Sequence, residues 1–438
     1  MCPQISWSEL TDASVGLWGL GVEGAASLRL LQSMGTVPVL VDDHPRSARH
    51  DGLEVLTTER GGLQALLGCD VVIKSPGISR YRPEVIALES AGVAVRGGLG
   101  LWLEEVDRQK VACITGTKGK STTTAIAVHL LHGLGYSAQA GGNIGRPPWD
   151  PSPAPSPEYW IIETSSFQVP DLTVAPPTVA VTSLSPDHLD WHGSIERYYA
   201  DKLSLGTKPG VRSRLADSAD PQLREHNSLF GSDIHWVQDD EDAWTDVLKL
   251  PGRHNARNAS MARHILVAMG VEEARSLEQI AVAAEGFAGL PSRCRSLGSI
   301  NGVEFVDDSL STNVLPVRAA LEAFADRPVA LLVGGHDRGL DYSPLGLALA
   351  ERELPTLVVT MPDNGPRIGQ TIRDVAGDSV ELVDAPDLDT AVATAFSWAE
   401  PGAVVLLSPA APSFGHFVDY SDRAQAFAAA AAACGTLS

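Results

Sequence analysis

Positive charge is scarce in this chain of 438 residues: 33 Lys and Arg stand against 54 Asp and Glu, a net charge of −21. Such a field disfavours general binding to nucleic acid or an anionic membrane, so an anionic ligand must be met by a few local cations. Cysteine is scarce too. Cys2, Cys69, Cys113, Cys294 and Cys434 are scattered and odd in number. They offer neither a disulfide framework nor zinc-ligand spacing, and they fit a reducing compartment. No apolar run is long enough to span a bilayer, and no basic segment followed by an apolar core opens the chain. A cytoplasmic protein without membrane insertion is expected. The alanine tract at 427–434 reads as the end of a helix.

What is present centres on residues 114–124, Ile-Thr-Gly-Thr-Lys-Gly-Lys-Ser-Thr-Thr-Thr. The apolar run 111–114 predicts a buried strand that passes through Gly116 and Gly119 into a helix over 125–134. At such a junction backbone amides and the helix dipole converge on an anion. Lys120 supplies a point charge for a terminal phosphate and Ser121 a hydroxyl for Mg²⁺. The first glycine stands three residues before Gly119, where the longer P-loop pattern places it five before. A glycine turn capped by Ser121 is the competing reading, but Gly-Lys-Ser after a strand is specific for a nucleoside triphosphate.

Length predicts about three domains, and alternating strand and helix patterns predict α/β architecture. Near the N-terminus, Gly19-Leu20-Gly21-Val22-Glu23-Gly24 lies between a strand at 15–18 and a helix over 27–34. The next strand, 39–41, ends in Asp42 and Asp43, where a ribose-binding acid is expected. A nucleotide-type ligand follows, and a uracil nucleotide suits the loop as well as NAD. After a strand at 71–73, Ser75-Pro76-Gly77 either presents amides to a ligand or is a plain turn.

Further along, Asn143 sits in a glycine-rich loop, as a ligand contact or turn residue. The proline-rich stretch 149–158 reads as an exposed insertion without chemistry. Glu163 ends a strand beside the phosphate loop, where a carboxylate can hold Mg²⁺, and Ser165 and Gln168 follow it. Asp187-His188-Leu189-Asp190-Trp191-His192 follows another strand and is expected to line a site. Lys202 lies on a helix over 195–205, and by residue type alone it reads as a surface lysine. Residues 208–244 are polar and irregular and suggest no function. The cluster 252–258 opens a helix, supplying caps or nucleotide contacts. From about 290 a further α/β unit places Asp307, Asp308, Gly334, Gly335, Arg338 and Ser408 at strand ends, where open α/β sheets bind ligands.

Together and in this order, these stretches resemble the Mur ligase family of peptidoglycan synthesis, most of all its glutamate-adding branch. The resemblance covers nearly the whole chain and implies three domains. A Rossmann-like UDP-binding domain would span 1–109, a central P-loop ATPase-type parallel sheet 110–289, and a second Rossmann-like domain binding amino acid and ATP 290–438. It implies ATP-dependent ligation of glutamate to UDP-N-acetylmuramoyl-L-alanine through an acyl phosphate, with ATP and Mg²⁺ as cofactors, in a monomer. Gly116, Thr117, Lys118, Gly119, Lys120, Ser121 and Thr122, with Asn258, Arg293 and Asp308, would hold ATP. Lys120, His188 and Lys202 would be catalytic. Ser121 and Glu163 would serve one Mg²⁺, and His188 with a carbamylated Lys202 a second.

Gly19, Leu20, Gly21, Asp42, Ser75, Pro76 and Gly77 would receive the uridine diphosphate, and Asn143, Ser165 and Gln168 the muramoyl-alanine. Thr312, Arg338, Ser413 and Tyr420 would meet the amino acid. Leu310 and Arg338 stand where D-glutamate enzymes usually carry lysines, and Gly415-His416 replaces an acidic turn. A guanidinium grips a carboxylate as a planar fork, so this swap is not neutral. The stereochemistry stays open between D- and L-glutamate. A folate polyglutamate-type ligase or a catalytically inactive nucleotide-binding relative are the alternatives. A dehydrogenase would rest on Gly19–Gly24 alone.

Overall fold

Runs of branched apolar residues bounded by glycine turns form the buried strands of three α/β domains in this computed structural model, which describes residues 5–45, 47–238 and 244–438. The first sheet contains β1 (Val15–Trp18), β2 (Val39–Val41), β3 (Arg49–His50), β4 (Leu53–Leu56), β5 (Val71–Lys74) and β6 (Ala94–Arg96), in the order β3-β4-β2-β1-β5-β6. Only the β3–β4 pair is antiparallel. The second comprises β7 (Val111–Thr115), β8 (Ala138–Gly142), β9 (Tyr159–Glu163), β10 (Thr178–Val181), β11 (Ser213–Asp217) and β12 (Ile234–Val237). Its order is β12-β11-β10-β7-β9-β8 and every pair is parallel. In both sheets the central strand (β1, β7) has neighbours that lead away on either side, the arrangement that opens a ligand crevice at strand C-termini.

The third sheet joins β13 (Arg295–Ile300), β14 (Val303–Asp307), β15 (Val329–Gly335), β16 (Thr356–Asp363), β17 (Glu381–Asp384) and β18 (Val404–Leu407). It runs β13-β14-β18-β15-β16-β17, antiparallel only at β13–β14.

The chain divides into two compact units, one holding the chain to Val247 with Ala256–Phe287, the other Leu248–Asn255 with Ala288–Ser438. The first two sheets share a unit because one apolar core runs through both. Trp7 stacks on Trp149 at 6.2 Å, and Trp102 meets Trp160 edge-on at 5.7 Å. This corrects the expectation for 149–158. Residues 151–156 are exposed, but Trp149 is buried with its Nε1 donating to Ser27 Oγ (3.0 Å), and Asp150 pairs with Arg29. The alanine tract does close a helix, Tyr420–Cys434. Among the described residues, no helix is long and apolar enough to cross a membrane.

Candidate active site

The phosphate loop leaves β7 and enters helix Lys120–Gly133, which starts five residues earlier than the apolar pattern alone indicates. Two positions demand glycine. Gly116 has φ +144° and Gly119 φ +88°, and a Cβ would stand 2.1 Å from Thr182 Oγ1 at the first and 2.5 Å from Asn258 Oδ1 at the second. Asn258, expected to hold ATP, stands against the back of the loop. The Thr117 and Lys118 amides donate to Ser183 (2.9 and 2.8 Å), so these residues fix the loop's shape through β10.

Two lysines converge on one oxygen. Lys120 Nζ donates to the Gly116 carbonyl at 2.8 Å and Lys202 Nζ to the same carbonyl at 3.0 Å. The surface-lysine reading of Lys202 is thus wrong: the residue is 2% exposed, on the inward face of helix Ile195–Leu203, over the Tyr198 ring. Amphipathic spacing, not residue type, decided its burial. Burial, and then the neighbouring Lys120, hold its amine far below the usual lysine range. A neutral amine is the form that adds to CO₂.

Glu163 ends β9 level with Ile114 and is 1% exposed. Its Oε1 accepts from Asn143 Nδ2 at 2.7 Å, and its Oε2 is buried with no hydrogen-bond partner. Asn143, expected against substrate, orients this carboxylate. His188 is half-exposed, with φ +51°, packed against Phe167 at 4.8 Å. Burial depresses its pKa, and Asp187 only partly opposes this.

His192, expected to line the site, is instead buried. Its Nδ1 meets Asp201 Oδ2 at 2.6 Å and its Nε2 meets Ser166 Oγ at 3.0 Å. The order copies a serine–histidine–carboxylate relay, but the serine and histidine are both buried, so the network positions the turn after β9. Tyr81 OH donates to the other Asp201 oxygen at 2.7 Å. Ser165 and Gln168 bond to each other, and Gln168 Nε2 donates to Glu23 Oε1 at 2.6 Å.

At the first glycine loop, Leu20 N donates to Asp42 Oδ2 (2.7 Å) and Ser75 Oγ to the Gly19 carbonyl (2.9 Å), bringing these predicted residues together. Gly21 precedes helix Val22–Ser33, and Gly77 is exposed in the adjoining turn. Asp43 instead pairs with Arg82 at 2.9 Å. Pro76 accepts from Trp191 Nε1 at 3.1 Å. Lys74 was missed as a candidate: its side chain is wholly buried, paired with Asp171 and donating to the Ile78 carbonyl at 3.0 Å. Its place at a strand end was the available signal.

In the second unit, Asp308 is fixed by Ser311 and Ser408 hydroxyls at 2.5 and 2.6 Å, and burial lifts its pKa to about 6. Arg293 lies two residues from the antiparallel strand β13. Arg423, also missed, is buried and donates to the Ala411 and Ser309 carbonyls (3.1 and 2.8 Å), tying two strand-end loops. A cavity of about 290 Å³ is lined by Gly334, Ser413, His416 and Arg423 among others. Thr312, Arg338 and Tyr420, expected alongside Ser413, do not line it. Arg338 is exposed in the loop after β15, and Tyr420 is 43% exposed as the first residue of its helix.

Residues 114–221 match the Mur ligase middle domain, and 292–411 the Mur ligase, glutamate ligase domain. A UDP-N-acetylmuramoyl-L-alanine–L-glutamate ligase of Xanthomonas euvesicatoria pv. vesicatoria (strain 85-10) is 41% identical over 452 residues, covering 96% of this chain and 95% of its own. One from Micromonospora sp. (strain ATCC 39149 / NRRL 15099 / SCC 1413) is 37% identical over 448 residues, 97% of each. The chain belongs to the Mur ligase family.

Solved family structures share the ligase's fold. UDP-N-acetylmuramate-alanine ligase MurC of Thermotoga maritima gives a TM-score of 0.58 at 19% identity, covering 96% of this chain and 100% of that one. MurF of Acinetobacter baumannii gives 0.59 at 16%, covering 95% and 90%.

The donor set of this ligase fits Mg²⁺. A buried carboxylate oxygen without a partner, Glu163 Oε2, lies at the sheet's C-terminal edge, and Ser121 is in the first turn of the adjoining helix. Oxygen donors of this type suit a hard cation that keeps several waters. Among the described residues no group of three His, Cys, Asp or Glu forms a ready-made metal cluster.

Proposed function

We propose that this ligase joins L-glutamate to UDP-N-acetylmuramoyl-L-alanine at the expense of ATP. The substrate carboxylate attacks the γ-phosphorus and ADP leaves, giving an acyl phosphate. The amino-acid nitrogen then attacks the acyl carbon, losing a proton as phosphate departs. Both steps bring anions together, so catalysis consists mainly of positioning and charge neutralisation. The observation that carries the reading is the pair of lysines on the Gly116 carbonyl, one a cation for the β/γ-phosphates, the other a buried amine whose lowered pKa favours carbamylation. Ser121 and Glu163 would hold one Mg²⁺, which when bound screens phosphate charge, and His188 with carbamylated Lys202 a second.

In this proposal residues 1–109 receive the uridine diphosphate through Gly19–Gly21, Asp42 and Ser75–Gly77, residues 110–289 hold ATP, and residues 290–438 add Arg293, Asp308 and the amino-acid site. L-glutamate is favoured over D by the names of the curated relatives, together with Leu310 and Arg338 at positions usually held by lysine. The reaction is assigned to a monomer in the cytoplasm. Hydroxylamine supplied in place of the amino acid tests the mechanism. An ATP-dependent hydroxamate of UDP-N-acetylmuramoyl-L-alanine is expected. ADP formation without hydroxamate would contradict an acyl phosphate.

A further inference from the structure

A second basic cluster lies at the end of the central sheet opposite the phosphate loop. β11 and β12 begin there, and Arg212 with Arg214 at the start of one and Asp233 with His235 at the start of the other line a cavity of about 560 Å³. Helix Arg253–Ala268 adds Arg263 and His264, and the short helix Glu272–Arg275 adds its last residue. Strands of this length, at about 3.3 Å per residue, put this site on the order of 15 Å from the strand ends that carry the phosphate loop. Four arginines and two histidines against one lining carboxylate are conspicuous in a chain of net charge −21.

The histidines of the cluster lie against each other and against Arg263. Arg263 Nη2 lies 3.2 Å from His264 Nε2, and a guanidinium only donates, so that nitrogen accepts. His264 then carries its proton on Nδ1 and donates it 3.1 Å across to His235 Nε2. Partial burial, and then the neighbouring His264, hold the His235 pKa below its usual value. Arg214 is fixed by the Gly206 carbonyl at 2.7 Å, while exposed Arg212 and Arg275 stand at the rim, the latter paired with Glu272 at 3.0 Å.

We propose that this cavity is a second anion site, which binds a small molecule carrying two or more phosphate charges on Arg212, Arg214, Arg263 and Arg275. Guanidinium forks match phosphate oxygens bidentately. The volume suits a small molecule, and the acidic whole repels nucleic acid. An anion also favours the imidazolium form of His235, whose pKa partial burial otherwise holds down.

The test is calorimetric titration of pyrophosphate into the full-length ligase saturated with Mg²⁺ and a non-hydrolysable ATP analogue, which fills the phosphate loop. One further pyrophosphate per chain is expected. In the Arg212→Ser/Arg275→Ser variant it should bind at least tenfold more weakly, with ATP turnover retained. No binding beyond the nucleotide site, or equal binding by the variant, would overturn the proposal. A tetra-aspartate peptide binding more tightly than pyrophosphate would overturn it too, in favour of an acidic protein segment. In the unmutated protein, pyrophosphate should slow carbethoxylation of His235 and His264, read by peptide mass; unprotected histidines would contradict the site independently of any variant.

Discussion

Lys202 concentrates the chemistry at the scale of single residues. With its amine 3.0 Å from an oxygen that Lys120 also binds, burial and then the adjacent cation push its pKa well below the usual lysine range. Lys202→Ala is expected to lower kcat by about 100-fold or more with little change in the KM for ATP, and short carboxylates should restore part of it. Steady-state ATP turnover checks this, and undiminished kcat would remove Lys202 from the mechanism. Glu23 gives a stability prediction. Its carboxyl, beside Gln168, has its pKa raised from 4.5 to about 7, chiefly by burial. Between those values the folded state binds more protons than the unfolded one, so stability falls as pH rises from 4.5 to about 7. Thermal melts should show Glu23→Gln gaining on the unmutated chain at pH 8 but hardly at pH 5. Equal shifts at both would sink the assignment. Residue type alone hid both groups, because lysine and glutamate are rarely buried.

Elements of secondary structure were the most legible part. β1, β2 and the phosphate-loop strand stand where apolar runs and glycine turns put them. The roles of turns were less legible, because a turn's polar groups bond across the sheet to partners far away in sequence. Asn143 orienting Glu163 and His192 holding Ser166 are of that kind. The short helix Leu189–His192 joins two sites: His188 precedes it, and Trp191 Nε1 reaches the Pro76 carbonyl. Trp191→Phe keeps an aromatic ring against Phe167 and loses one hydrogen bond of about 1 kcal/mol. The KM for the UDP-linked substrate should rise about fivefold while kcat stays within about twofold, on the scale of tenfold per 1.4 kcal/mol. A fall in kcat alone would break the proposed link to the nucleotide turn. Gly119→Ala forces φ +88° on alanine and drives its Cβ into Asn258, so ATP affinity should drop more than about tenfold and the melting temperature should fall with it.

The whole molecule shows what strand patterns cannot convey. Three sheets were readable, yet the first two share a single core through Trp7–Trp149 and Trp102–Trp160, pairs separated by too much sequence for any periodicity to join. Amino-acid specificity was the least legible feature. Ser413 lines a cavity, while Thr312, Arg338 and Tyr420 do not, and stereochemistry depends on donor placement that no motif records. Phosphate release from ATP with UDP-N-acetylmuramoyl-L-alanine, measured with L-glutamate and D-glutamate in separate reactions, tests the central claim most directly. Release with L-glutamate alone is the predicted result. Release with D-glutamate alone would contradict it and make Leu310 and Arg338 tolerated substitutions.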